Sequence, residues 1–432
     1  MGDGASGNRD KKINHGETMK KIIEEYPVGT LFDEEEIEAV RRVLQSGVAL
    51  TRGPDVELFE KEFASYCNAN HAVSVSSCGA ALRFATQVLH LQPKDEVICQ
   101  ANSFWVTIVH LLERNVTIKC ADIDPDSLNI DPEKIESLIT PRTKAIYVVH
   151  HGGNPADMDP IREVARKYNI TVVEDAAHAI GGEYKGKKIG HDSDIACFSF
   201  SALKNLCTLG EGGMFVTNND KYAEMAQGLR TNYPYGKRMK RIISDLGTYP
   251  KPKSPAFMHA GDAWDYDWIE VEEIGSTYRM STPQAAVGCV QLKKLDKFIE
   301  IRDQIAQRYN DAIDDIPGLR KVKILPHCKH PWHLFSFFLN HETGIDRNEF
   351  VRRMESEHNV RLVIRFWPIH LGGIMRMRGH NIGECPICEH VWFKEQLALP
   401  ISPQMENWEI ETITNGLHET MKTLRKKKVN FL

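Results

Sequence analysis

Apolar and polar positions switch between two periods along the first half of the chain. Helical spacing runs from Asp33 to Leu44, where the acidic start DEEEIEAV suits a helix N-terminus, and again from about Asp55 to Tyr66. Short apolar runs then take turns with helical stretches. The pattern predicts strand Ala72–Val75, helix Ala80–Leu89, strand Glu96–Cys99, helix Trp105–Arg114, strand Thr117–Ala121 and helix Pro132–Leu138. It continues with strand Ala145–His150, helix Ile161–Tyr168 and strand Thr171–Glu174. Short strands separated by helices of about ten residues predict an α/β fold, a mostly parallel sheet covered by helices on both faces.

Ile195 to Phe200 and Gly213 to Thr217 extend that sheet, and then the pattern breaks. Tyr233 to Gly275 is rich in Pro, Gly, Lys and aromatics without a clear period, and it is too long for a simple connection. A long helix is predicted from Pro283 to Ile313. Beyond it, Trp332–Leu339, Val360–Phe366 and an amphipathic tail from Glu406 read as a smaller α+β domain. The predicted division is 1–25, a polar, disordered lead-in; 26–295, a large α/β domain with the 233–275 insertion; and 296–432, the small domain.

Composition narrows the picture. With 432 residues, 42% hydrophobic, 26% charged and a net charge of −5, the chain is long enough for several domains and expected to be soluble. Basic residues are spread out rather than blocked, which argues against nucleic acid, and no run approaches a membrane span. The ten cysteines sit in apolar segments with no signal peptide ahead of them, so a reducing cytoplasm is expected. The opening MGDGAS matches a myristoylation pattern at Gly2 and Ser6, one short enough to arise by chance.

The segment VVEDAAHAIGGEYKGKKIGHDSDIACFSFSALKNLCTLGEGGMFVT carries the chemistry. Asp175 lies just past an apolar strand, where ligands of open α/β sheets bind. Lys204 follows a second apolar run and precedes GEGG at Gly210 to Gly213. Alone, Asp175 reads as a helix cap and Lys204 as a surface lysine. Together they suit a pyridine ring bearing an aldehyde: the lysine attacks as a free amine when burial lowers its pKa, and the acid keeps the ring nitrogen protonated.

EDAAHAIGG at Glu174, CFSFSALKNLCTLGEGG at Cys197, HHGGNPADMDPI at His150 and YRMSTPQAAVGCVQLKKLDKFI at Tyr278 occur in the order seen in the DegT/DnrJ/EryC1/StrS family of sugar aminotransferases, which the chain resembles from about Gly29 to its C-terminus. PWHLFSF at Pro331 and ECPICEHVWFKEQLALPISP at Glu384 also resemble the family. The resemblance implies a fold type I enzyme that works as a homodimer with active sites at the subunit interface. It implies pyridoxal 5'-phosphate held as an imine on Lys204, pyridoxamine 5'-phosphate during turnover, and transfer of an amino group from L-glutamate to a keto sugar, nucleotide-linked. Asp175 then matches the partner of the ring nitrogen, His178 that of the phenolic oxygen, Ser199 a phosphate ligand, and Phe104, or adjacent Trp105, the aromatic stacked on the ring.

Three departures from the family stand out. Cys78-Gly79 replaces a Gly-Thr or Gly-Ser pair at the phosphate cradle, leaving backbone donors and Ser77. Thr277 stands where an asparagine reaches the partner subunit's phosphate. The 233–275 insertion is longer than in compact members, and reads equally as a substrate-site element or a surface insertion. Two other readings compete: a pyridoxamine phosphate-dependent keto-sugar dehydratase, against which Lys204 argues because those members carry histidine there, and a non-catalytic cofactor-binding homologue, against which intact Lys204 and Asp175 weigh. Cys385 and Cys388, with His390 nearby, form a CxxC that reads as packed cysteines before a metal site. His150 and His151 could touch substrate or be satisfied within their loop.

Overall fold

Helix α1 (Glu34–Gln45) begins where the acidic run predicts: the Asp33 side chain accepts from the Glu35 amide at 2.9 Å, and Glu36 accepts from the Asp33 amide at 2.8 Å, closing a capping box. The computed structural model describes residues 21–231, 259–260, 263–264 and 274–429. Helix α2 (Pro54–Cys67) leads into β1 (His71–Val75). There follow α3 (Cys78–Val88), β2 (Glu96–Gln100), α4 (Val106–Glu113), β3 (Thr117–Ala121), β4 (Thr143–Val149), α5 (Met158–Tyr168), β5 (Thr171–Asp175), β6 (Ile195–Ser199), β7 (Gly213–Thr217) and α6 (Asp220–Leu229).

These strands form one seven-stranded sheet in the order β1-β7-β6-β5-β4-β2-β3. The pairs β2/β3, β2/β4, β4/β5 and β5/β6 are parallel, whereas β7 runs antiparallel to both β1 and β6. The carboxyl ends of β1, β2, β4, β5 and β6 therefore share one edge. Successive side chains point to opposite faces, as strand geometry demands. Val97 and Cys99 join Phe84 and Leu111 of α3 and α4 on one face, while Ile98 joins Phe59, Phe63 and Ile161 of α2 and α5 on the other.

Helix α7 (Thr282–Asp314) starts at Ser281, which forms a capping box with Gln284. Its first half, through Ile299, packs on the large sheet; from Ile305 it packs instead on β9 (Phe335–Leu339). Strand β9 lies between β8 (Leu319–Lys321) and β10 (Gln396–Leu399) in an antiparallel sheet backed by α8 (Arg347–His358) and α11 (Asn407–Val429). The short helices α9 (Gly373–Arg376) and α10 (Pro386–His390) precede β10.

Two predicted elements differ. Pro132–Leu138 is a pair of 3-10 turns, because the run is short and only Ile135 of it is fully buried. Val360–Phe366 is not a continuous strand but makes single bridges, Val360 to Ile23 and Val363 to Ala398. Its end leaves the small sheet, since the Phe366 amide donates to Asn102 Oδ1 at 3.1 Å, across the boundary to the large sheet.

Residues 1–20 of the predicted lead-in lie outside the described residues. Residues 21–25 are docked, with Ile23 buried and bonded to Asn359 and Arg361. Of the 233–275 insertion, only the antiparallel pair His259–Ala260 with Ala263–Trp264 and residues 274–275 are described. Among the described residues no helix is long and apolar enough to cross a membrane.

Candidate active site

The carboxyl edge of the large sheet brings the sequence-predicted residues together. Asp175 closes β5 and Ser199 closes β6, and the chain after β6 folds back on itself before β7. Phe200 donates to Gly212 O at 2.8 Å, Ala202 to Gly210 O at 2.9 Å and Thr208 to Phe200 O at 3.1 Å. Gly210 has φ of 110°, a conformation costly for any other residue, and a Cβ on Gly212 would lie 2.1 Å from Thr208 Oγ1. This loop presents Lys204. Gly29 seals its outer side: its amide donates to Ala202 O at 2.8 Å, and a Cβ there would meet Leu203 O at 2.1 Å.

Lys204 is half-buried, and its amine lies 3.3 Å from Nε2 of His333, which stands just before β9 of the three-stranded sheet. Burial lowers the Lys204 pKa to about 8, against the opposing pull of the Asp175 carboxylate. His333 and His178 are buried with ring centroids 4.3 Å apart, and burial followed by the Lys204 charge holds both well below the ordinary histidine value. Both imidazoles are neutral at pH 7. His178 also stacks on Phe366, centroids 5.4 Å apart and planes 16° apart, and Phe366 in turn meets Phe104 at 5.8 Å.

Asp175 is fully enclosed. Its carboxylate accepts from Thr107 Oγ1 at 2.7 Å and the Ala177 amide at 3.2 Å, yet burial still raises its pKa. Both donors are neutral, and the Lys204 charge offsets the burial only in part. Nδ1 of His178 is buried without a hydrogen-bond partner. A buried acid, an unpartnered imidazole nitrogen and a near-neutral amine around one strand edge match the donor set of a pyridine ring bearing a phenolic oxygen and an aldehyde. The residues fit pyridoxal phosphate.

At the cradle, the Cys78 thiol turns toward the sheet, 3.5 Å from Cys197 O and 3.9 Å from Asp175 Oδ1, and burial pushes its pKa well up. It stays protonated. Ser77 caps α3, accepting from the Ala80 amide at 3.2 Å, which leaves its hydroxyl proton and the first amides of the helix for an anion. Gly213 packs so closely that a Cβ would lie 2.4 Å from the Ser77 carbonyl carbon. Ser199 Oγ accepts from the Ser201 amide at 3.4 Å. Thr277 is exposed; its neighbour Tyr278 accepts from the Ser76 amide at 2.8 Å, which keeps that segment beside the start of α3.

Other candidates fall outside this group. His150 accepts from the Ala156 amide at Nδ1 (3.1 Å) and faces Glu174 at 3.1 Å with Nε2, so its loop satisfies it. His151 faces Arg365 O at 3.2 Å and burial lowers its pKa to about 4. Trp105 sits exposed at the start of α4, edge-on to Phe104. Cys385 and Cys388 are free, buried thiols, and Asp122 caps their helix through the Ile387 and Cys388 amides at 2.9 and 2.8 Å. Sequence reasoning missed Thr107, His333 and Phe366. Only His333 carried a signal, as the histidine of PWHLFSF.

The aminotransferase family model described as DegT/DnrJ/EryC1/StrS matches residues 31–418. The chain belongs to the DegT/DnrJ/EryC1/StrS aminotransferase family. The spore coat polysaccharide biosynthesis protein SpsC of Bacillus subtilis (strain 168) is 36% identical over 394 residues, 91% of this chain and 96% of that protein. Among solved structures, DesV of S. venezuelae aligns with a TM-score of 0.78 at 31% identity, covering 90% of this chain and 95% of its own. NtdA of Bacillus subtilis, solved with bound cofactor PMP, gives 0.76 at 26% identity, with 90% and 82% covered. As a member of this family, the chain is a pyridoxal phosphate-dependent sugar aminotransferase of fold type I.

Proposed function

We propose that this aminotransferase takes its amino group from L-glutamate and delivers it to a keto sugar carried on a nucleotide, with Lys204 as the residue that attaches the cofactor and moves the proton. The observation behind this reading is the pairing at adjacent strand ends of an amine with a pKa near 8 and a fully buried, raised carboxyl, Asp175. Pyridoxal phosphate, when bound, supplies an aldehyde and a ring that withdraws electrons from the donor carbon. Lys204 would be the base that takes the proton from the donor carbon and passes it to the cofactor's carbon on the far side of the nitrogen. Asp175 keeps the ring nitrogen protonated. His178 reaches the phenolic oxygen through Nδ1, and Phe104 covers the ring.

Ser199 and the backbone amides of Cys78 and Gly79 hold the phosphate at the positive end of α3. Thr277 completes the cradle across a homodimer interface. The large unit ends and the small one begins within α7, and the enzyme works in the cytoplasm.

Absorbance spectroscopy tests the reading. Adding L-glutamate to the yellow, cofactor-loaded enzyme is expected to bleach its long-wavelength band, and a nucleotide-linked keto sugar to restore it. Lys204→Ala is expected to lose at least about a hundredfold in turnover. A spectrum that L-glutamate leaves unmoved would remove the donor assignment, and unchanged turnover in Lys204→Ala would remove the lysine.

A further inference from the structure

The CxxC stretch ends in His390, and the structure parts that histidine from the cysteines. Cys385 and Cys388 point inward, with Cys385 Sγ 3.7 Å from Cys120 O, and burial pushes both thiols up. His390 instead leaves α10 on the outer side and meets two residues distant in sequence. Its ring stands edge-on to that of His341, centroids 4.6 Å apart, and its Nε2 lies 3.5 Å from Oε1 of Glu395. His341 contacts the same carboxylate oxygen through Nδ1. The donor atoms of His341, His390 and Glu395 all lie within 4.8 Å of one another.

We propose that His341, His390 and Glu395 form a binding site for a divalent transition-metal ion of the zinc class on the small unit. Two imidazoles and one carboxylate are a ligand set such ions favour, with a further position left for water. Metal–ligand bonds of about 2.0 to 2.2 Å place donors roughly 3.5 Å apart, so the present spacing needs only small turns of two half-exposed imidazoles. Glu395 is held from behind: its other oxygen accepts from Arg320 Nη2 at 3.1 Å, which fixes the carboxylate. Arg320 also pairs with Asp126, so the two carboxylates outweigh its single charge and leave a field that favours a cation. A bound ion would tie the turn at His341–Thr343 to α10 and to the residue before β10.

The experiment uses full-length, cofactor-loaded enzyme without a polyhistidine tag, treated with chelator and titrated with zinc chloride by calorimetry and thermal unfolding. One saturable site per chain is expected, with a zinc-dependent rise in unfolding temperature. His390→Ala and His341→Ala should each weaken zinc by at least about tenfold. Both side chains are half-exposed, so without zinc these variants are expected to unfold at the parent temperature; should His341→Ala fall short of this, His390→Ala decides. A second group, Cys120, His380 and Glu384, serves as the control through His380→Ala, which should leave the affinity unchanged. Absence of saturable binding, equal affinity in His390→Ala, or loss in His380→Ala in its place overturns the proposal.

Discussion

A lysine attacks a carbonyl only as the free amine, and the surroundings of Lys204 decide when it is free. Burial lowers its pKa to about 8, while the Asp175 carboxylate limits the fall. Below that pH the group is a cation without a lone pair; above it the amine is neutral. Covalent uptake of pyridoxal phosphate by the cofactor-stripped protein should therefore quicken as pH rises through about 8 and then level off. Stopped-flow absorbance follows it. A rate still climbing toward the ordinary lysine value of about 10.4 would show that the amine is not depressed. At this scale the sequence was legible where chemistry sits at the end of a local pattern. Asp175 and Lys204 each follow an apolar run, so their strand-end positions could be inferred. His333 reaches Lys204 from 129 residues away, and nothing local marks that meeting. Phe366, 264 residues from its partner Asn102, was read as part of a strand.

Helix α7 shows what an element reveals and conceals. Its extent is legible because Ser281 and Gln284 form a capping box and the apolar register persists through Ile313. What its glycine does is not. Glycine inside a helix costs about 1 kcal/mol relative to alanine, so Gly288→Ala would ordinarily stabilise. Here a Cβ would lie 2.7, 2.8 and 2.9 Å from ring carbons of Phe59. That ring is fully buried on α2 and wedged between Phe63 and Phe200, with centroids at 6.0 and 5.4 Å. It has no room to retreat. Gly288→Ala is expected to destabilise by about 1 to 2 kcal/mol, overpacking exceeding the gain in helix propensity. Urea unfolding should show a lower midpoint at unchanged slope, and a raised midpoint would mean that α2 and α7 separate at little cost. The same distinction explains Pro132–Leu138, where helical spacing was present but one buried side chain, Ile135, could not hold a full helix in place.

Across the whole molecule the alternation of strands and helices announced an α/β class but not the order of the sheet. Order depends on crossovers, and the antiparallel β7, inserted between β1 and β6, has no signature in its own five residues. Nor does sequence show what joins the seven-stranded sheet to the three-stranded one behind the site. Arg302, inside α7, is fully buried, and among the described residues no carboxylate hydrogen-bonds to it; burial lowers its pKa to about 9. Its guanidinium donates to Trp332 O at 2.9 Å, Ile401 O at 3.0 Å and Gly29 O at 2.6 Å. Trp332 adjoins His333, and Gly29 holds the Lys204 loop through Ala202. One side chain thus fixes both partners of the lysine–imidazole contact from behind. Arg302→Leu would leave those carbonyls buried and unpaired, each costing about 1 to 3 kcal/mol, offset in part because the cation no longer has to be desolvated. A net loss of roughly 2 to 4 kcal/mol is expected. The location of the loss distinguishes this account from general weakening: amide hydrogen exchange should accelerate first at residues 28–31 and 331–334, and the protein should release its cofactor faster. Uniform acceleration along the chain would instead make Arg302 a core residue with no particular hold on the site.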